Sequence, residues 1–257
     1  GASLYNVHER LVGHCMLVET ERGLVLVDTG IGRNKRAMSP LFLATYRPRF
    51  DAGELASTNV ERLGFRLGDV RHIIVTHLDL DHAGGLADFP NAEVHVLNDE
   101  LAAARAGDGG WFGGTRYVPA LWSHDVKWRA HDVAGERWYG FPCVRDIPGL
   151  PPEILLVPLK GHTRGHTGVA VDVGGRWLLH CRDAYFHHDE MDATSPSCPP
   201  LARAHQRFLA VDDQARRANQ RRLRELARGV GDGIDVFCAH DPDDLARFHD
   251  DVAAAGG

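Results

Sequence analysis

The chain has 257 residues, of which 44% are hydrophobic and 25% are charged, and its formal net charge is −6 at pH 7. This length predicts a single domain, 1–257, with a core large enough to fold alone. The negative charge provides no basic surface for nucleic acid, and no apolar run approaches the roughly 20 residues that a membrane span needs. The partner that remains is a small-molecule substrate.

The five cysteines are scattered along the chain and include no CxxC pair. An odd, unpatterned set favours reduced thiols and therefore a cytoplasmic location.

The predicted elements begin with a hairpin over residues 11–19 and 23–27, followed by a helix over 56–67 and a strand over 72–75. A second strand over 93–97 leads into a helix that Asn98 is expected to cap and that runs to about Ala106. Later, a hairpin is predicted over 167–180, turning at Gly174-Gly175, and the longest helical pattern covers 211–228. His72 and His95 are expected to be ordinary strand residues.

One short run is rich in side chains that bind metals. It reads THLDLDHAGG over residues 76–85 and contains His77, Asp79, Asp81 and His82 directly after an apolar strand. Imidazoles and carboxylates packed this closely favour a bound cation, which neutralises the charge of the carboxylates. The run therefore indicates a metal site at the end of a strand.

Three further apolar runs end in the same kind of residue. His162 follows the run at 154–157, Asp183 follows the run at 177–180, and His240 follows the run at 234–237. Four strand ends therefore carry metal-type residues, and this recurrence strengthens the prediction of a metal site.

These segments, together with the early GLVLVDTG at residues 23–30, resemble the landmarks of the metallo-β-lactamase superfamily in order and spacing. The resemblance runs from about Gly13 to about Asp241. It implies an α/β fold, the αββα sandwich, with two mixed sheets and helices outside. The Asp-His-Ala-Gly-Gly phrase at residues 81–85 and the overall length look closest to lactonase-like members, including acyl-homoserine lactonases.

Carried over position by position, the resemblance implies two divalent metal ions and seven ligands: His77, Asp79 and His162 for one ion, Asp81, His82 and His240 for the other, and Asp183 between both. His162 is preferred to His166 because the family uses the first histidine of this segment. Zinc is the expected metal. Iron or manganese stays open because Asp79 stands where the family usually has histidine, and carboxylates favour harder ions.

Two arginines also depart from the family pattern. Arg164 stands where proline is frequent, and Arg182 stands where glycine is usual. They either bind an acidic group of the substrate or pair with surface carboxylates.

The family resemblance implies hydrolysis through a metal-bridging hydroxide, with Asp81 handling the proton. Tyr185, two residues after Asp183, is expected to hydrogen-bond either the developing oxyanion or the leaving group. A loop-rich aromatic insertion at about 107–152 is expected to roof a pocket, with Trp122 and Trp128 binding the substrate, unless it forms a small core of its own. The favoured substrate is a lactone or carboxylic ester. The alternatives are hydrolysis of a thioester, another hydrolytic activity found in the superfamily, and an iron-containing redox enzyme on the same fold.

Overall fold

A computed structural model describes residues 11–110 and 116–255, and these residues divide into two compact units. The N-terminal unit comprises Cys15–Asp132 and Asp146–Pro151. The C-terminal unit comprises residues 11–14, 133–145 and 152–255. Each unit contains one mixed β-sheet and its own hydrophobic core.

The N-terminal unit is built on a five-stranded sheet in sequential strand order: β1 (Met16–Thr20), β2 (Gly23–Val27), β3 (Val70–Ile74), β4 (Glu93–Leu97) and β5 (Lys127–His131). The first pair is antiparallel and the other three pairs are parallel. Parallel neighbours end at the same edge of a sheet, so the residues that follow β2 and β3 are brought together.

The described residues of this unit form four α-helices: α1 (Pro40–Tyr46), α2 (Ala56–Arg62), α3 (Leu80–Ala83) and α4 (Asn98–Ala106). Helix α4 packs on strands β4 and β5. Alternate residues of the central strands, including Ile73, Val94 and Val96, point into the core together with residues of α4. Burial of these apolar side chains is the main stabilising contribution to the unit.

The C-terminal unit contains a two-stranded ribbon, a four-stranded sheet in the order β11-β10-β9-β8, and three helices. Its elements are β6 (Arg137–Trp138), β7 (Phe141–Pro142), β8 (Ile154–Pro158), β9 (Thr167–Asp172), β10 (Trp177–Arg182), α5 (Pro200–Leu209), α6 (Asp213–Val230), β11 (Ile234–Cys238) and α7 (Pro242–Ala255). Strands β10 and β11 are parallel, so they end at the same edge.

Most of the predicted elements are confirmed, with small shifts at their ends. The 93–97 strand and the helix to Ala106 match, but the cap position of α4 is Leu97 and Asn98 is its first residue. Helix α2 ends at Arg62, before Gly64 takes φ +89°, although the pattern extended to residue 67. None of the helices in the described residues is long and apolar enough to cross a membrane.

The aromatic segment at 107–152 differs from the loop-rich insertion that the sequence predicts. It supplies the edge strand β5 and the ribbon β6–β7. Tyr117 is buried in the core of the N-terminal unit, whereas Trp138 and Phe141 are buried in the core of the C-terminal unit. Trp111 and Phe112 lie outside the described residues. Much of this aromatic content therefore serves ordinary core packing.

Candidate functional site

Asp28 organises the metal-type residues of the N-terminal unit. It follows β2 directly and is fully buried. Its carboxylate accepts hydrogen bonds from the Thr76 backbone N–H at 2.7 Å and from the Thr76 hydroxyl at 2.7 Å. The end of β2 is thereby tied to the loop that follows β3, which is the loop that carries His77.

Both imidazoles of this loop are oriented through Asp28. The His82 Nδ1–H donates to the Asp28 carboxylate at 2.7 Å. The His77 Nδ1 lies 3.2 Å from the Thr76 hydroxyl oxygen, which itself donates to Asp28. The two rings lie 4.0 Å apart between centroids. Because Nδ1 carries the proton in both residues, Nε2 is the nitrogen that holds a lone pair for a metal.

The turn after these histidines needs glycine. Thr29 binds the His82 carbonyl through its backbone N–H at 2.8 Å and through its hydroxyl at 2.9 Å. The Gly85 N–H donates in turn to the Thr29 hydroxyl oxygen at 3.0 Å. A Cβ at Gly85 would lie 2.5 Å from the Thr29 carbonyl oxygen. The close approach that holds His82 in place therefore excludes any larger residue here.

Asp79 is held by an arginine that the sequence analysis does not single out. Arg116 donates from Nε to Asp79 Oδ1 at 2.7 Å and from Nη2 to Asp79 Oδ2 at 2.6 Å. The Arg116 side chain is 4% exposed and the Asp79 side chain is 15% exposed. Asp79 Oδ2 also lies 3.5 Å from the His77 Nε2. The carboxylate that replaces the usual histidine is therefore neutralised by a buried guanidinium.

Two more residues near this loop were not predicted. The buried Glu100 accepts a hydrogen bond from the Leu78 backbone N–H at 2.9 Å and one from the Tyr117 hydroxyl at 3.3 Å. Partial burial and, to a smaller extent, the charges of Asp81 and Asp79 together raise the pKa of Tyr46 to about 12. Tyr46 therefore keeps its proton at neutral pH and is a hydrogen-bond donor beside the two carboxylates.

Asp183 is the centre of the metal-type residues in the C-terminal unit. It follows β10 and its side chain is 4% exposed. Its Oδ2 lies 3.1 Å from the Nε2 of His240 and 3.4 Å from the Nε2 of His162. The ends of β8, β10 and β11 supply these three residues, as the sequence predicts for strand ends.

The hydrogen bonds of His240 show why a cation suits this group. Its Nδ1–H donates to the Val12 carbonyl at 2.8 Å, which leaves Nε2 as an acceptor when the ring is neutral. A lone pair on Nε2 then faces a carboxylate oxygen of Asp183 at 3.1 Å. Two acceptors at this distance repel unless a proton or a metal ion neutralises them.

His166 has a different task. Its Nδ1–H donates to the Leu159 carbonyl at 2.9 Å, and its Nε2 accepts the Asp183 backbone N–H at 3.2 Å. Both ring nitrogens are thus engaged, and the ring orients the backbone of Asp183. This arrangement agrees with the preference for His162 as the metal-type histidine of this segment.

Arg182 corrects one expectation from the sequence. Its side chain is buried rather than exposed at the surface. It donates to the His14 carbonyl and lies 3.1 Å from the His180 Nε2, and its backbone takes φ +52°. Arg182 therefore ties β10 to the segment at residue 14. Arg164, by contrast, is exposed.

The three residues that the sequence predicts to contact the substrate all pack against a hydrophobic core. Tyr185 is fully buried in the C-terminal core, where burial raises the pKa of its hydroxyl well above the usual value. Trp122 and Trp128 are half-buried and pack on the N-terminal core. These positions give no support to an oxyanion role for Tyr185, which stays a prediction from the sequence, as does substrate binding by the two tryptophans.

The donors present in each unit fit divalent transition metals. Imidazole nitrogen and carboxylate oxygen are ligands of zinc, and metal-binding histidines usually donate their second N–H to a carboxylate or a carbonyl. His82 does so to Asp28 and His240 does so to Val12. The carboxylate of Asp81 is the most open of the group at 36% exposed.

Comparison with known proteins agrees with the fold. The sequence profile of the metallo-beta-lactamase superfamily matches residues 8–216. A "probable metallo-hydrolase" of Mycobacterium tuberculosis is 42% identical over 92% of this chain and 77% of its own length. An N-acyl homoserine lactonase of Bacillus cereus is 34% identical over 88% of this chain and 80% of its own length.

Two solved structures share the fold at low sequence identity. An N-acyl homoserine lactone hydrolase with its product, N-hexanoyl-L-homoserine, at the catalytic metal centre has a TM-score of 0.66, with 22% identity over 91% of this chain and 82% of that chain. A dizinc quorum-quenching lactonase has a TM-score of 0.58, with 18% identity over 90% and 73% of the two chains. With its mixed sheets, its helices and its profile match, the chain belongs to the metallo-β-lactamase superfamily and has the α/β fold of that family.

Proposed function

We propose that this metal-dependent hydrolase opens a lactone, or cleaves a carboxylic ester, that has an apolar acyl part. The observation that carries the proposal is that the Asp183 carboxylate lies within 3.4 Å of His162 and 3.1 Å of His240. The chain that holds this group is 34% identical to an N-acyl homoserine lactonase over 88% of its length. Ester carbonyls are substrates that metal-assisted hydrolysis suits.

The proposed cofactor is a pair of zinc ions. The proposed ligands are those that the family resemblance implies: His77, Asp79, Asp81, His82, His162, Asp183 and His240. Zinc is favoured over iron because the carboxylate of Asp79 already forms two hydrogen bonds with Arg116. That ion pair offsets the extra negative charge on which the argument for a harder metal rested.

The roles of the residues follow from their contacts. When bound, the two ions supply Lewis acidity for a carbonyl oxygen and a water of lowered pKa. Asp28 keeps His82 and His77 in the tautomer that offers Nε2. Asp81, the more open carboxylate, takes the proton from water at a carboxylate oxygen and returns it to the leaving alkoxide. Tyr46, which keeps its proton at neutral pH, is proposed to act as a hydrogen-bond donor close to these carboxylates.

The proposal also covers the residues that contact the substrate, the cellular location and the partners. Trp122 and Trp128 are proposed to contact the acyl part of the substrate with the faces that the core leaves exposed. A cytoplasmic location is supported by the cysteines, which form no disulfide bond with one another in the described part of the chain. No nucleic-acid or membrane partner is proposed, given the net charge of −6.

The test compares four substrates with the zinc-loaded protein: an acyl-homoserine lactone, an aryl ester, an acyl thioester and a phosphodiester. We expect the highest kcat/KM for the lactone or the ester, and a longer acyl chain should lower KM. The chelated protein, reloaded with zinc, is the control. A metallated enzyme that turns over only the phosphodiester or only the thioester would contradict the proposed substrate class. Dioxygen consumption by an iron-loaded sample would favour the redox alternative instead.

A further inference from the structure

Three histidines form a row across neighbouring strands of the N-terminal unit, apart from the residues assigned above. His72 lies on β3, His95 on β4 and His131 ends β5. The His72 Nδ1 lies 3.0 Å from the His95 Nε2, and the His95 Nδ1 lies 2.9 Å from the His131 Nε2. The sequence predicts ordinary strand residues here, but the parallel register brings the three rings into contact.

A carboxylate accompanies the first two rings. Glu93 pairs with His72 in the register of β3 and β4 and lies two residues before His95, so all three side chains share one face of the sheet. Its Oε1 accepts a hydrogen bond from Arg129 at 2.6 Å. Its Oε2 lies 3.9 Å from the His72 Nδ1. Arg129 thus engages one carboxylate oxygen, and the other faces the imidazoles.

The row links the tautomers of the three rings, because each contact joins one donor nitrogen to one acceptor nitrogen. When the His95 Nδ1–H donates to His131, the His95 Nε2 is an acceptor that faces His72. Burial lowers the pKa of His95 to about 3, and burial also lowers the pKa of His72 and His131. All three rings are therefore neutral at pH 7. Neutral imidazole is the form that binds metals, so an incoming cation does not compete with an imidazolium proton.

We propose that His72, His95 and Glu93 form a separate binding site for one divalent transition metal ion of the zinc class. One ligand atom from each residue lies within 4.8 Å of the other two. Two nitrogens on a tetrahedral zinc ion are about 3.3 Å apart, given zinc–nitrogen bonds of about 2.0–2.1 Å. The observed 3.0 Å between the two nitrogens is close to that separation.

Small adjustments complete the site. The Glu93 side chain, which is 31% exposed, moves its Oε2 toward the ion by a fraction of an ångström. The proton on His72 Nδ1 leaves to solvent and another is taken up at Nε2, so the ring stays neutral and no net proton is released. His131 on the His95 Nδ1 and Arg129 on Glu93 hold the ligands from behind, as partners of metal ligands commonly do.

A second cluster of two histidines and a carboxylate, His187, His188 and Asp241, has contacts that explain it without a metal ion. The Nδ1 of His188 in the C-terminal unit lies 2.9 Å from an oxygen of Asp241. Burial by itself lowers the pKa of His188, but the hydrogen bond to Asp241 and the nearby acidic charges outweigh it, so that the pKa is raised. An imidazole whose Nδ1–H donates to a carboxylate, and whose pKa is raised by that bond, holds its proton more firmly against a metal ion. This cluster therefore serves as the internal control for the proposed site.

The experiment counts zinc by elemental analysis after equilibrium dialysis of the full chain at fixed free zinc concentrations. We expect the wild type to retain one more zinc ion per chain than His72→Gln and Glu93→Gln, with His188→Gln equal to the wild type. His131→Asn should weaken the affinity of that additional ion about 10–100-fold, because it removes the partner that orients His95. Circular dichroism of each variant confirms that it is folded.

A second measurement does not depend on the total count. Because an ion that binds the folded state stabilises it, zinc should raise the Tm of the wild type further than that of His72→Gln at the same concentration. Equal zinc content and equal Tm shifts in the wild type and His72→Gln would overturn the proposal. Loss of the additional ion in His188→Gln but not in His72→Gln would overturn it as well. None of these results bears on lactone hydrolysis, so the two proposals fail independently.

Discussion

Arg116 and Asp79 form a bidentate ion pair, with nitrogen–oxygen distances of 2.7 Å and 2.6 Å, although 37 positions separate them in the chain. Asp79 stands where the superfamily usually carries a neutral histidine. The guanidinium supplies the positive charge that such an exchange of imidazole for carboxylate requires in a buried place. The two residues are therefore best regarded as one unit beside His77.

The first prediction concerns this pair. Asp79→His restores the usual family residue but removes the carboxylate that the buried guanidinium contacts. Removal of one partner of a buried ion pair lowers the free energy of unfolding by about 3–5 kcal/mol. We therefore expect a clear fall in the free energy of unfolding, measured by urea denaturation, in spite of the restored family pattern.

The matched control for the pair is the double variant Asp79→His/Arg116→Met, compared with each single variant in a double-mutant cycle. We expect the double variant to regain most of the lost stability and to retain zinc, with less iron bound in mixed-metal dialysis than the wild type. Additive effects of the two substitutions would show that Arg116 and Asp79 are not coupled.

The second prediction concerns Asp183, whose carboxylate lies beside both His162 and His240. If the proposed ligand set is right, Asp183→Ala removes a ligand from both ions. Elemental analysis should show a larger loss of zinc than in Asp79→Ala or His162→Ala. A variant that keeps the zinc content of the wild type would contradict the bridging role. Far-UV circular dichroism separates loss of metal from loss of fold.

The third prediction concerns proton transfer by Asp81. Asp81→Asn keeps the size of the side chain but removes its basicity. We expect kcat for the best ester or lactone to fall by about 10²–10⁴-fold, the range for loss of a general acid or base. Asp99→Asn, on the exposed side of α4, is the control and should leave kcat unchanged. A fall in kcat that is matched by loss of zinc would assign Asp81 a ligand role only.

The fourth prediction concerns pH and Asp244, which is 4% exposed and accepts the Cys238 backbone N–H at 2.9 Å. Burial raises the pKa of Asp244 above its usual value of 3.8. The folded state therefore holds this proton at pH values where the unfolded state has released it. By linkage, the contribution of Asp244 to stability falls as the pH rises through the folded pKa.

Urea denaturation of the wild type and Asp244→Asn at pH 4, 5.5 and 7 tests the direction in which the stability contribution of Asp244 changes with pH. Asparagine can still accept the Cys238 N–H but does not ionise. The free energy of unfolding of the wild type, relative to the variant, should be larger at pH 4 than at pH 7. A difference that is independent of pH would mean that Asp244 does not ionise in this range.

Local patterns in the sequence account for the elements and for the types of residue at their ends. The hairpin of β1 and β2, the strand β4 and the helix α4 are readable because alternation, helical spacing and turn residues act over a few neighbours. His77, Asp183 and His240 follow apolar strands, so their placement at strand ends is also a local property. The family resemblance added an order of landmarks that composition does not contain.

Other features depend on residues that are distant in the chain. Asp28 reaches Thr76 and His82 only because β2 and β3 are parallel neighbours. Arg116 reaches Asp79 across 37 positions, and no local signal marks it. Tyr185 looks suited to catalysis from its position after Asp183, yet its ring is buried in the core.

The sequence by itself determined the family, the strand ends and the types of residue that follow them, because these depend on short-range patterns and their order. Tertiary structure decided which nitrogen each histidine offers, that Asp79 is neutralised by Arg116, and that His72, His95 and His131 meet in one row. The physical reason is that proton positions, ion pairs and contacts between rings depend on strand register and burial. These are properties of how distant segments pack, and no segment contains them alone.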